Sequence, residues 1–225
     1  MKTIAVILLA GNSTRFNAEI AKVFYPIKGK PLCYYSIKPF LHSSFIDEVV
    51  LVAKEMDFLF LKNLLHSETK KIHYVIGGKE RFDSVTNALK YLKANSLAND
   101  NDNILIHDGA RLNVNDEQIN NLIEALNTYD GVTLAIKMED TIAIRKDDEI
   151  VSFEPREQYV RIQTPQAFKF ATIYVAHLDE SFKATDDAQL ILKLGKKIKI
   201  VAGSKKLNKI TTIEDIENIK VKDDE

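Results

Sequence analysis

Arginine is scarce in this chain: of 31 lysines and arginines only six are arginine, at Arg15, Arg81, Arg111, Arg145, Arg156 and Arg161. The flat guanidinium fork suits phosphate and carboxylate, whereas lysine is a point charge on a flexible stem, so the few arginines are informative. Arg15 closes the loop Leu9-Ala10-Gly11-Asn12-Ser13-Thr14-Arg15, just after a short apolar run. A small-residue turn after a strand offers backbone N–H groups to an anion. The loop is neither GxGxxG nor GxxxxGK[ST], because Ser13 and Thr14 stand where glycines would meet a pyrophosphate. Lys22 follows Arg15 by seven residues. Two cations flanking one glycine loop suit a triphosphate; on the loop alone, a plain turn with a surface arginine reads equally well.

A second cluster, Ile106-His107-Asp108-Gly109-Ala110-Arg111, ends a predicted strand. Ligands of open α/β sheets bind outside the carboxyl ends of the strands. An aspartate there is suited to Mg²⁺, which takes few protein carboxylates and shares its sphere with phosphates and water. The plainer reading is an aspartate capping a turn. His107 reads as structural, since an anionic nucleophile needs no general base to attack phosphorus. Downstream, Arg156 precedes Gln163-Thr164-Pro165-Gln166, where Pro165 forces Thr164 into extended backbone. The Thr164 hydroxyl and Gln166 amide are expected to point into a pocket. Thr185-Asp186-Asp187 reads also as a plain helix start with Thr185 as cap. Lys209, in Asn208-Lys209-Ile210-Thr211, has no meaning by itself among so many lysines.

These residues need a scaffold, and the chain alternates. Strand-like runs at 4–9, 48–53, 72–76 and 103–106 are separated by helical spacing at 31–41, 58–65 and 81–92, with another helix at 116–126. Proline 31 suits the first position of its helix. Residues Val85, Ala88, Leu89 and Leu92 share one helical face. The rhythm predicts an α/β fold, a mostly parallel twisted sheet with helices on both faces. It breaks after Gly131: strand-like runs at 132–136, 141–145 and 150–153 have no helix between them, and Asp147-Asp148 reads as a hairpin turn. Residues 137–159 are therefore read as a protruding β-arm. Helices at 169–178 and 186–194, the latter closed by Gly195, precede a strand at 197–201. Thr211 and Glu214 fit a capping box for a last short helix. The whole of 1–225 is expected to be one domain.

Composition excludes several classes. A net charge of -1 argues against a general nucleic-acid binder. No apolar run approaches the roughly 20 residues of a membrane span. The first apolar run is too short for a signal peptide's core, which leaves the cytoplasm as the expected location. Cys33 is the only cysteine, so no internal disulfide or cysteine zinc site forms.

In this order the motifs resemble the 2-C-methyl-D-erythritol 4-phosphate cytidylyltransferase family, over nearly the whole chain. The family's Ala-Gly-x-x-x-Arg loop with a lysine seven residues on is matched by Ala10, Gly11, Arg15 and Lys22. Gly-Gly-x-x-Arg-x-x-Ser falls on Gly77, Gly78, Arg81 and Ser84, and His-Asp-x-Ala-Arg on His107, Asp108, Ala110 and Arg111. Asp140-Thr141, Arg156 eight residues before Thr164, Thr185 to Ala188, and a shorter-spaced Asn208-Lys209-Ile210-Thr211 complete the set. Ser13, Ala21, Lys79, Gly109, Leu112 and Ala143 depart from the family pattern without removing a catalytic residue.

The resemblance implies a Rossmann-like sheet of the nucleotide-diphospho-sugar transferase type and transfer of CMP from CTP to a polyol phosphate, with Mg²⁺. It implies Arg15, Lys22 and Lys209 as catalytic cations. Ala10, Gly11, Asn12, Gly78, Arg81, Ser84 and Asp108 would hold CTP, Asp108 also the metal. Asp108, Arg111, Thr141, Arg156, Thr164 and Thr185 would hold the second substrate. It also implies a homodimer that swaps the arm, so that one site combines residues of two chains. Some relatives carry a fused zinc-dependent synthase domain, which this chain is expected to lack. Within the class, a ribitol 5-phosphate or other polyol-phosphate cytidylyltransferase is the rival. An NAD-dependent oxidoreductase would need the missing glycines, and a nucleotide sensor would need neither Lys22 nor Asp108.

Overall fold

The computed structural model describes residues 1–11, 16, 20–179 and 181–217. In chain order its elements are β1 (Thr3–Leu8), β2 (Pro26–Ile27), β3 (Lys30–Pro31), α1 (Leu32–His42), β4 (Glu48–Ala53), α2 (Phe58–Leu64), β5 (Lys71–Ile76), α3 (Arg81–Ala94), β6 (Asn103–Asp108) and α4 (Asp116–Ala125). The second half adds β7 (Gly131–Lys137), β8 (Ile142–Lys146), β9 (Glu149–Glu154), β10 (Val160–Lys169), α5 (Phe170–Ala176), α6 (Asp187–Lys193), β11 (Ile198–Ala202) and α7 (Glu214–Glu217).

Seven strands form one sheet in the order β11-β7-β10-β6-β1-β4-β5. All neighbours are parallel except β10, which runs antiparallel to both β6 and β7. Alternation along β1 explains why helices cover both faces. Ala5 and Ile7 pack with Ile37 and Phe40 of α1 and with Ile119 and Leu122 of α4. Ile4 and Val6 pack with Val85 and Leu89 of α3 and with Ile173 of α5. A strand buried on both faces reads as an unbroken apolar run, and each such side chain stabilises the fold by about 1.5–3 kcal/mol. Among the described residues no helix is long and apolar enough to cross a membrane.

Within residues 137–159, β8 and β9 pair antiparallel as a separate two-stranded sheet, turning at Asp147, which adopts φ 52°. Gly195 follows α6 at φ 71°, as its reading as a helix stop requires.

One strand has no counterpart in the sequence reading, and three local expectations give way. Strand β10 lacks an apolar-alternating signature, because its middle is Gln163-Thr164-Pro165-Gln166; the register shifts there, where Pro165 has no N–H to give the ladder. Pro31 is the residue before α1 rather than its first turn, because its extended backbone belongs to β3. Asp186, not Thr185, caps α6, accepting from the Ala188 N–H at 3.0 Å. At the last helix the Asp215 carboxylate takes the N–H groups of Thr211 and Thr212, at 2.7 and 2.9 Å, so the Thr211–Glu214 box is not what closes it.

The end of the sheet away from the loops after β1 and β6 holds a buried ion cluster. Glu48, opening β4, accepts from Lys2 Nζ at 2.8 Å and meets His73 Nε2 at 2.6 Å. Burial alone would raise its pKa, but Lys2 and His73 outweigh it and hold the carboxyl at about 2. The unfolded glutamate takes up a proton near pH 4.5 that the folded one refuses until about pH 2, so stability falls with pH across that window. Glu48→Gln should flatten this acid limb by about 2 kcal/mol, read from urea unfolding at pH 7 and pH 3.

Candidate active site

The strand order turns outward on either side of β1, and the loops at its carboxyl end and those of β5 and β6 enclose a cavity of about 660 Å³. This is the crevice where open α/β sheets take their ligands. Ala10 and Gly11 reach it from β1, Gly78, Arg81 and Ser84 from the β5–α3 turn, and Asp108 from β6. Lys22 and Lys209 line it from elsewhere in the chain. Asn12 and Arg15 lie outside the described residues.

Close backbone approach shapes the walls. A Cβ on Gly77 would stand 2.2 Å from the Ala10 Cβ, so only glycine lets the β1 and β5 loops meet. Gly78 donates its N–H to Ser84 Oγ at 3.0 Å, which leaves the hydroxyl hydrogen free to donate. At Gly109 a Cβ would sit 2.7 Å from the Leu8 carbonyl oxygen, so glycine lets the turn after β6 close on the end of β1.

Asp108 is the electrostatic centre. It is 8% exposed, and its oxygens meet Arg81 Nε at 3.1 Å and Lys209 Nζ at 2.8 Å, with Arg111 Nε at 3.7 Å. Burial pushes its pKa up, but Arg81, then Lys209 and Arg111, outweigh that and hold it far below the usual carboxylate range. Lys209 is delivered by a bridge between its own backbone and that of Arg111. The next carbonyl, of Ile210, accepts from Lys22 Nζ at 2.6 Å. One C-terminal segment thus fixes both lysines.

A buried relay sets the position of Asp108. Its N–H donates to Thr164 Oγ1 at 3.0 Å, and that hydroxyl faces His107 Nδ1 at 3.1 Å. His107 Nε2 faces the Arg111 carbonyl at 3.0 Å and must donate to it, so Nδ1 accepts from Thr164. Burial lowers the His107 pKa to about 4, which agrees with a neutral, structural ring.

Not every expected residue converges. The Thr164 hydroxyl is engaged with β6 rather than opened to the cavity, and the Gln166 side chain, fully buried, instead donates to Asp186 at 2.8 Å. Both correct the expectation that they point into the pocket: each completes hydrogen bonds left open by neighbouring backbone or caps. Arg111 turns its guanidinium to the carbonyls of Leu207 (2.9 Å) and Ile162 (3.4 Å). Thr141 and Arg156 stand exposed at the arm, Arg156 donating to the Glu139 carbonyl at 2.8 Å. Thr185 is exposed beside α6. None of Thr141, Arg156 and Thr185 lines the cavity of its own chain.

Sequence reasoning gave Asp187 no role beyond a motif at a helix start and missed His177 altogether. Asp187 is 1% exposed and lies 2.7 Å from Arg81 Nη1, and His177 lies 3.0 Å from its other oxygen. Their partners are distant in sequence, and spacing alone makes Asp187 look like an ordinary first-turn acid.

A family model described as 2-C-methyl-D-erythritol 4-phosphate cytidylyltransferase matches residues 3–221. The protein of that name from Thermosipho melanesiensis is 36% identical over 95% of this chain and 94% of its own. The one from Caldanaerobacter subterraneus is 37% identical over 96% of each. The crystal structure of 4-diphosphocytidyl-2C-methyl-D-erythritol synthase from Anaerococcus prevotii superposes with a TM-score of 0.83 at 30% identity, covering 96% of this chain and 93% of that one.

Thr164→Val keeps the shape but strands the Asp108 N–H and His107 Nδ1. It should cost about 1–3 kcal/mol in denaturant unfolding, with Thr164→Ser near wild type.

Proposed function

Because this chain belongs to the 2-C-methyl-D-erythritol 4-phosphate cytidylyltransferase family, we propose that it transfers CMP from CTP to 2-C-methyl-D-erythritol 4-phosphate and releases pyrophosphate. That is a step of non-mevalonate isoprenoid synthesis. The observation that carries the reading is the meeting of Lys22, Arg81 and Lys209 around Asp108 in one cavity at the carboxyl end of the sheet.

The cytosine sits toward Ala10, Gly78 and Ser84, whose hydroxyl hydrogen donates to an acceptor on the ring edge. The triphosphate lies along Gly11 toward Lys22 and Lys209, with Asn12 and Arg15 completing the loop in this reading. Asp108 would hold Mg²⁺. Its hard oxygens suit that ion, and each has one close cation partner, so a lone pair remains on each. Among the described residues no group of three acidic, histidine or cysteine ligands occurs. That fits an ion that takes one or two carboxylates and completes its sphere with phosphate and water. When bound, the ion supplies charge neutralisation at the phosphates.

A phosphate oxygen of the acceptor attacks the α-phosphorus. The new P–O bond forms as the bond to the bridging β-phosphate oxygen breaks, and pyrophosphate departs. Both reacting groups are already anions, so no side chain must take a proton. Lys22, Lys209 and Arg15 instead oppose the charge gathering on the α-phosphate and leaving group, the main source of rate in such transfers. Arg111 borders the acceptor side, and Thr164 acts there through its hydrogen bond from the Asp108 N–H. Thr141 and Arg156 contribute from a partner chain, with Thr185 beside them. Exposed Ile150, Val151 and Phe153 on the arm support a homodimer formed there. The chain acts as one unit in the cytoplasm, where CTP is made, on small molecules and not on nucleic acid or membrane.

Pyrophosphate release from CTP should require methylerythritol phosphate, with ribitol 5-phosphate a poor substitute; the reverse preference overturns the substrate assignment. In the same assay Lys22→Ala should lower kcat roughly 10²–10³-fold while calorimetry still detects CTP binding. Deleting residues 142–153 should give an inactive monomer by light scattering, and an active monomer would refute the shared site.

A further inference from the structure

Arg81 lies between two buried carboxylates and is held unevenly by them. Nε donates to Asp108 Oδ1 at 3.1 Å. Nη1 makes an ion-pair contact with Asp187 Oδ2 at 2.7 Å, close but not aligned as a hydrogen bond. Nη2, on the same edge as Nε, is buried without a partner. The second oxygen of Asp108 belongs to Lys209, at 2.8 Å. A two-pronged fork of Nε and Nη2 on Asp108 would satisfy that orphan donor and is the preferred geometry of an arginine–carboxylate pair. The fold does not adopt it.

What prevents it is built with care. Asp187 is 1% exposed, and its free oxygen faces His177 Nε2 at 3.0 Å. His177, also 1% exposed, is held by Thr86 Oγ1 at 2.9 Å and stacks on Phe82 at 4.6 Å. Arg81, Phe82 and Thr86 all belong to the first turns of α3, so the pair grips the helix that carries the arginine. A buried ion pair adds little stability over an apolar replacement of the same volume. An orphaned buried donor in a native protein calls for an explanation, a catalytic role or an ordered water or ion among them.

We infer that Asp187 and His177 are positioning residues that draw Arg81 away from a forked pairing with Asp108 and so keep one Asp108 oxygen available for the metal. The inference rests on the cytidylyltransferase reading and deepens it. As a bound triphosphate attracts Lys209, the oxygen that lysine holds is released. Without Asp187, Arg81 Nη2 takes that oxygen by a small rotation. With Asp187, the guanidinium stays side-on, and Asp108 faces the phosphates with its charge only partly cancelled.

The experiment is calorimetric binding of CTP to the full chain in Mg²⁺ and in EDTA, the ratio of the two dissociation constants being the metal's contribution. Asp187→Asn should shrink that ratio roughly tenfold or more, a coupling of ordinary size. Combined with Arg81→Gln, the Asp187→Asn change should have no further effect, since the guanidinium that Asp187 restrains is gone and Lys209 and Arg111 face Asp108 in both backgrounds. A purely structural Asp187 would instead shift CTP affinity equally with and without metal. An unchanged ratio in Asp187→Asn, or an equal loss in the Arg81→Gln background, overturns the inference. If Asp187→Asn fails to show a cooperative melt, His177→Leu, which frees Asp187 without removing its charge, should shrink the ratio by a smaller factor, and no shrinkage there overturns it too. Wild-type protein that binds no CTP overturns the functional reading and the inference with it; wild-type protein that binds and turns over CTP beside an unchanged variant overturns the inference alone.

Discussion

A carboxylate as buried as Asp108 must be balanced, because leaving a charge unpaired in the interior costs several kcal/mol. The balancing cations come from the start of α3 and from a segment 101 residues beyond Asp108, while a hydroxyl of β10 fixes the carboxylate's own backbone. The helix, the strand and the C-terminal segment are thereby tied to one atom group. The site is less a set of side chains placed on a finished sheet than the electrostatic condition under which these segments come together. Charge that must be neutralised in the resting protein is also the charge that organises a polyanionic ligand.

Much of the scaffold is legible in the sequence because its physics is local and periodic. After Thr3 and Glu48 at their starts, strands β1 and β4 are apolar and alternate between the two faces, and α3 carries its buried stripe at 3.6-residue spacing. The arm announces itself by strand-like runs with no helix between them. Strand β10 is not legible: its centre is polar and includes proline, and those polar groups are buried because each answers a hydrogen bond from another element. No periodicity encodes that.

The site divides in the same way. Lys22, Asp108 and Lys209 are found because motifs preserve their local context. Asp187 and His177 escape, since their meaning arises only when α5 and α6 fold back onto α3. Thr164 and Gln166 stand out in the sequence by their unusual company, but their partners are the Asp108 backbone and the Asp186 carboxylate. The polar residues in Gln-Thr-Pro-Gln turn inward to build the wall behind the cavity rather than outward to ligand. The scarce arginines divide too: Arg81 and Arg111 are anchored inside the protein, whereas Arg156 and Arg161 lie at its surface.

The antiparallel insertion of β10 has a consequence for how the chain reaches this state. Strands β1, β4, β5 and β6 assemble through successive crossover units, but β7 pairs only with β10 and β11, and the outer edge of β6 also waits for β10. Until residues 160–169 arrive, two apolar strand edges stand unpaired. Such edges recruit strands from other molecules, and pairings across long stretches of chain form slowly. A sheet lacking β10 would expose both edges, and this one polar strand covers the two of them.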